Sequence, residues 1–186
     1  MLYDPTGTIG AITVLGLWKA LWTGPNDQEF ILLNADPDAA LTVLLLAGVA
    51  KAKTISLFGH ADDDTQANAF QHAYWSALVT TALGIDAAAA WTAAHEGLYA
   101  NDYNDLEFDT DGNGRVIRLY NPNGWQNSTR MDMHNNAVGM TFANMININA
   151  KSILGVLLFT LGSAIVANMD DALLWALDAG LLVALK

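Results

Sequence analysis

The chain contains no cysteine and only 4 prolines. Without cysteine there is no disulfide, no thiolate metal ligand and no cysteine nucleophile, although such a chain suits reducing and oxidising compartments alike. Basic residues are scarce too: 8 Lys and Arg stand against 19 Asp and Glu, a formal net charge of −11. No basic stripe is available to displace the counterions of a nucleic acid, so a nucleic-acid partner is excluded. Simple docking on an anionic membrane is disfavoured on the same ground. A cationic partner, a metal ion or a neutral substrate fits this balance better. The first residues, MLYDPTGTIGAITVLGLW, carry an acid where a Sec signal has positive charge, and they lack a small-residue cleavage site. The sequence therefore predicts no Sec signal and leaves a cytoplasmic location and signal-independent export both open.

Charged residues make up 15% of the chain and hydrophobic residues 53%, so it folds around a core. Its 186 residues suit one domain. Alternation of polar and apolar residues is confined to Arg115–Tyr120, which reads as one short strand or an extended loop segment. Helix signals, by contrast, recur. Asp36-Pro37-Asp38 gives an N-cap acid and a proline at the first helical position. Asp64 precedes a run to Leu83 that Gly84 ends. Asp86 opens an alanine-rich stretch that stops near Gly97, and Asn168 or Asp170 opens the last helix. These signals predict an all-α, compact multi-helix domain over residues 1–186. Its polar-site region is 60–145, with a long Asp/Asn/Gly-rich loop from Asn101 to Thr129, and its apolar C-terminal hairpin is 150–186.

The hairpin admits two readings. Ser152–Met169 is free of charge for 18 residues, the lower edge for a membrane span. Asp170 and Asp171 then read as a corner, followed by an apolar segment with Asp178 near its middle. A charge at that depth is costly and flanking basic residues are few, which favours buried core helices over a membrane hairpin.

Chemistry concentrates in three segments. In the helix to Leu83, Asn68, His72, Ser76 and Thr80 are spaced by four and lie along one side, beside Tyr74 and Trp75. A polar stripe among apolar residues either faces water or lines an internal polar site. Asn68, Ser76 and Trp75 are the expected substrate contacts. Ser76 lacks the strand-to-helix elbow of an activated serine nucleophile. In the second segment, His95 and Glu96 are adjacent and point about 100° apart on a helix; a turn at Gly97 relaxes that constraint. The third, RMDMHNNAVGMTFANM, either carries Asp132, Asn135, Asn136 and Gly139 on one helical face with His134 nearly opposite Asp132, or begins with Asp132 as an N-cap and frees His134 to turn inward.

The strings NAFQHAYWSALVT, AHE and MDMHNNAVG resemble an uncharacterised bacterial domain family of secreted and polymorphic-toxin-like proteins, whose members read approximately DAFRHAYWNAL, AHE and MDLHNNAVG. The resemblance covers Asn68 to Gly139. It implies that His72, His95, Glu96, Asp132, His134, Asn135 and Asn136 belong to one site, and it implies no particular reaction. Gln71, where a basic residue often stands, and Met140 depart from the pattern. The order His72, His95-Glu96, Asp132 is also similar to the ligand order of HD-type metal phosphohydrolases, with Glu96 where Asp is expected. Such ligands suit a first-row divalent transition metal. Separately, Asp109, Asp111 and Asn113 fall at positions one, three and five of a calcium loop with Gly114 at six, but Tyr120 stands where the bidentate acid belongs. His60, before the acids 62–64, reads as capping or solvated. No organic cofactor is indicated. The expected function is a hydrolase-like effector of the toxin type, with His72 and His95 in acid–base or metal-holding roles and Glu96 or Asp132 activating water. The rival is a non-enzymatic membrane-active or partner-binding helical protein that works through its C-terminal hairpin.

Overall fold

The computed structural model describes residues 24–113, 115–120, 124–151 and 160–184, without the side chains of 146–151 and 160–168. Helices dominate, as expected: α1 (Asp27–Ala35), α2 (Pro37–Phe58), α3 (Gln66–Leu83), α4 (Ile85–His95), a 3-10 turn (Ala100–Asp105), α5 (Asn127–Lys151) and α6 (Thr160–Asp178). Two short antiparallel strands, β1 (Phe108–Thr110) and β2 (Val116–Leu119), form a hairpin within the long polar loop. The weak alternation after Arg115 is thus a strand.

α3 is the central helix, packed on α2, α4, α5 and α6. That position explains its composition. Phe70, Ala73, Tyr74, Ala77 and Val79 are buried on several sides at once, so α3 has no solvent face to show as an amphipathic stripe. The Asp36–Pro37 start forms as read, with Asp36 accepting from the Ala39 amide. The start of α3 differs from expectation. Thr65 is its N-cap, while Asp64 sits one residue earlier with a φ of 63°. α1 had no counterpart in the sequence reading; Asn26 and Glu29 start it as a capping box.

The expected acidic corner at Asp170–Asp171 is not a corner, because α6 runs straight through it. Asp170 turns inward to pair with Lys53 of α2, so the acids are a tertiary staple rather than a break. Met169, Leu173 and Ala176 join the core beside them. Residues 152–159 of the expected apolar hairpin lie outside the described residues. Among the described residues, one helix is long and apolar enough to cross a bilayer, and it is α2.

Candidate metal centre

The site begins with a close helix crossing. A Cβ on Gly139 of α5 would lie 2.0 Å from the Ala73 carbonyl oxygen and 2.3 Å from Ser76 Oγ of α3. Only glycine permits that approach. Ser76 secures it, its hydroxyl meeting the carbonyl oxygens of Ala73 at 3.0 Å and Asn136 at 2.9 Å. The serine expected to contact substrate is therefore a buried tie between helices. One consequence is that Asp132, two turns before Gly139, comes against His72: Nε2 of the imidazole is 3.4 Å from Asp132 Oδ1.

Glu96 arrives from a third direction. His95 is the last residue of α4, Glu96 caps it, and Gly97 reverses the chain with a φ of 72°. The turn brings both side chains of the doublet to one cleft despite their adjacency. Glu96 Oε1 lies 4.0 Å from His72 Nδ1. Ligand atoms of His72, Glu96 and Asp132 all fall within 4.8 Å of one another, and this group could hold a metal ion. His72 Nδ1 and Asp132 Oδ1 are buried without a hydrogen-bond partner, the condition in which polar atoms await a bound species. The three border a polar cleft of about 350 Å³, whose rim includes Asp63, Asp64, Asn68 and Ser128. Asn68 is thus at the cleft, its Oδ1 accepting from the Asp64 amide.

His95 is held by a residue that sequence reasoning missed. Its Nδ1 is 2.9 Å from Oε1 of Glu29, which is 5% exposed. The other oxygen, Oε2, accepts from the Asn26 amide, and Asn26 Nδ2 donates back to the carbonyls of Ala94 and His95. The start of α1 and the end of α4 are therefore laced together. Trp75 meets the His95 ring edge-on at 5.1 Å and donates from Nε1 to the Val43 carbonyl, so it packs the site rather than offering a polar contact. Behind the two histidines lies a chamber of about 30 Å³ bordered by Glu29, Gln71 and Trp75.

Electrostatics follow from burial. Desolvation and, to a smaller extent, nearby His95 lower the His72 pKa to about 3, against an opposing contribution from Asn136. The ring is neutral, the form that ligates a metal. Burial raises Asp132 to about 8, helped by the charge of Glu96 and opposed by His95. Burial likewise raises Glu96 to about 7, with His95 opposing and Glu29 adding. For His95 burial acts to lower the pKa, but the Glu29 hydrogen bond and the surrounding carboxylates outweigh it and the net shift is upward. Asn136 is fully buried beside His72 and Tyr103, and neither atom of its amide closes a hydrogen bond of good geometry. Tyr103, also missed from sequence, meets Thr92 Oγ1 at 2.6 Å on this inner wall.

Two expected members of the site go elsewhere. α5 is helical from Asn127, so Asp132 is not its N-cap and His134 points away. His134 Nε2 meets the Leu181 carbonyl at 2.8 Å, and its ring packs edge-on against Phe108. Asn135 bonds to both backbone groups of Val183. The shared motif thus serves two purposes: Asp132 borders the cleft and Asn136 is buried behind it beside His72, whereas His134 and Asn135 hold the segment after α6. The expected calcium loop is the β1–β2 turn. Asp111 Oδ1 accepts from the amides of Asn113 and Arg115, and Asp109 Oδ2 accepts from Tyr120 Oη. These oxygens take part in shaping a hairpin, and Tyr120, which stands where the last calcium ligand would be, donates to the Asp109 carboxylate at the first position. His60 is exposed beside Asp62, as anticipated.

No curated protein and no solved structure matches the chain. A family model described as Domain of unknown function (DUF6973) matches residues 30–161, a span that contains His72, Glu96 and Asp132 and stops short of the segment held by Asn135. The match covers well over half of the chain, which belongs to the DUF6973 domain family.

Proposed function

We propose that the chain is a metal-dependent hydrolase whose ion is held by His72, Glu96 and Asp132. One observation carries the reading: three ligand atoms from separate parts of the chain converge within 4.8 Å at a polar cleft, two of the residues offering buried atoms without partners. One imidazole and two carboxylates suit a first-row divalent ion. Such an ion supplies a Lewis acid and lowers the pKa of a bound water. The chain's own groups do the rest. Glu29 fixes the ring plane of His95, whose place at the same cleft suits it to accept a proton from water and return it to a leaving group. Asn68 and Ser128 on the rim offer neutral hydrogen bonds that orient a substrate. The motif resemblance supports an exported effector as the setting, and the net charge of −11 argues against nucleic acid as the substrate.

Elemental analysis of the purified protein tests this directly. About one equivalent of a transition metal is expected in the natural chain and none in His72→Ala or Asp132→Ala. His95→Ala should keep the metal and lose roughly 10²–10⁴-fold of hydrolytic rate on whichever generic ester or amide is turned over. Folded protein without metal, even after reconstitution, sinks the proposal.

A membrane-active reading has its own support. α2 leaves Leu45, Val49, Ile55 and Leu57 exposed, and its mean hydropathy is 1.6 over an 18-residue window. Partition into neutral liposomes, unaffected by His72→Ala, is the result that would favour it.

A further inference from the structure

The crossing of α3 and α5 sets two pairs of residues face to face, one helical turn apart. Asp132 meets His72 at the cleft, and Asn136 meets Ser76 behind it, its carbonyl oxygen 2.9 Å from the serine hydroxyl. With its backbone tied there, Asn136 holds its side chain beside both His72 and Tyr103. The residue is fully buried, and neither end of its amide has a closed hydrogen bond. His72 Nδ1 is sealed from water and equally unpartnered, and Glu96 Oε1 at 4.0 Å is beyond hydrogen-bond reach of it. Three orphaned polar atoms in one buried place are costly unless they satisfy one another.

The protons available decide how they do so. Thr92 has one hydroxyl proton, and it goes to the Ala88 carbonyl at 2.7 Å. Thr92 Oγ1 is then the acceptor in its 2.6 Å contact with Tyr103 Oη, so the phenol spends its own proton there. Tyr103 is left with lone pairs, and the amide nitrogen of Asn136 is a donor beside it. An amide that turns its nitrogen to Tyr103 turns its oxygen the other way, toward His72. That oxygen needs an N–H opposite it, and the unpartnered Nδ1 is the ring atom suited to carry one. A neutral imidazole has a single N–H. With the proton on Nδ1, the lone pair lies on Nε2, the nitrogen 3.4 Å from Asp132 Oδ1.

We infer that Asn136 is a positioning residue: oriented by Tyr103 and Thr92, it fixes His72 as the Nδ1–H tautomer and so aims the Nε2 lone pair into the cleft. The inference rests on the hydrolase reading above for the ion that this lone pair would meet. A ligating histidine is held in place by the partner of its other nitrogen, and that partner also sets the tautomer. Here the partner is neutral. An amide does the work without adding a third negative charge to Glu96 and Asp132, and it leaves both carboxylates free to act as ligands. The two adjacent asparagines of α5 therefore have separate tasks, Asn135 on the backbone of Val183 and Asn136 on an imidazole.

Nitrogen-15 NMR of the His72 ring tests this in the metal-free natural chain at neutral pH, where the ring is uncharged. Nδ1 is expected at a protonated, pyrrole-type shift and Nε2 at an unprotonated, pyridine-type one. Tyr103→Phe removes the oxygen that orients the amide while keeping the aromatic ring, and should move His72 toward a mixture of tautomers. Asn136→Ala should do the same and weaken Zn²⁺ binding about 10–100-fold in calorimetry, the usual cost of losing the group behind a ligating histidine. If Asn136→Ala does not fold, Tyr103→Phe decides. A natural chain with the proton on Nε2, or a tautomer unmoved by Tyr103→Phe, would overturn the inference and leave the hydrolase reading standing. The expected tautomer in a natural chain that binds no Zn²⁺ would uphold the role of Asn136 and overturn the hydrolase reading.

Discussion

Glu29 Oε1 lies 2.9 Å from His95 Nδ1, across 66 residues of sequence, the carboxylate buried and the ring partly exposed to the cleft. This pair decides the protonation and orientation of a ring at the mouth of the cleft, although neither residue belongs to the trio that could hold an ion. Glu29→Gln should keep the shape and remove the charge. The His95 pKa, read by NMR titration of its ring protons, is expected to fall. Glu29→Ala should also break the capping box and cost about 2–3 kcal/mol in thermal unfolding. An unchanged His95 titration in Glu29→Gln would show that the carboxylate does not govern the ring.

The contact of α3 with α5 gives a sharper stability test. Gly139→Ala places a methyl 2.0 Å from a backbone oxygen, so the helices must separate. We expect a loss of at least about 3 kcal/mol, or some 6–12 °C in melting temperature for a chain of this size. Ser76→Ala, which removes only a hydroxyl from the same crossing, should cost about 1 kcal/mol. Equal melting temperatures for Gly139→Ala and the natural chain would mean that the crossing is looser than described.

Stability should depend on pH in a direction fixed by the buried carboxyls. Asp132 rises from 3.8 to about 8 on folding, and Glu96 rises from 4.5 to about 7. A raised pKa contributes stability that is full below the unfolded value and lost as pH climbs through the folded one. His95, also raised, acts with the same sign. His72 is depressed to about 3, so its contribution has the opposite sign but changes only below about 6.5. Between pH 6.5 and 8 the metal-free protein should therefore lose stability, by about 2 kcal/mol for one such carboxyl. Melting curves in EDTA at the two pH values check this, and Asp132→Asn should remove most of the slope. A melting temperature that rises across the window contradicts it.

Lys53→Met should expose the role of the staple between α2 and α6. It leaves Asp170 16% exposed at its side chain with Oδ1 already lacking a partner. Because Lys53 itself is about one-third exposed, the expected cost is at the low end for broken ion pairs, about 1–2 kcal/mol. Lys53→Met combined with Asp170→Leu should recover part of that loss, measured by chemical denaturation.

Much of this was legible from the residues in order. Asp36–Pro37 marked a helix start, the spacing of His72 and Ser76 marked one side of α3, and Gly97 announced the turn that lets His95 and Glu96 share a cleft. These signals are local, and local backbone chemistry writes them into short strings. What stayed hidden was paired over long distances. Glu29 looks like any acid in a first helical turn, and nothing near it in sequence points to His95. His134 and Asn135 sit beside Asp132 in the sequence, yet their partners are 47 and 48 residues away. Helical rotation parted them from the cleft, and only the position of the final segment shows what they do. The hairpin is ambiguous for a simpler reason: Asp and Asn at alternating positions with glycine suit a tight turn as well as they suit calcium.

Two side-chain clamps on the backbone also impose an order on folding. Asn26 closes on Ala94 and His95, whereas Asn135 closes on Val183, so one tie needs the early part of the chain and the other needs its late part. During synthesis the first can form once α4 has emerged, while the second waits for residues made more than eighty positions later. A ribosome-bound chain can therefore hold His95 in place before Val183 exists for Asn135 to hold.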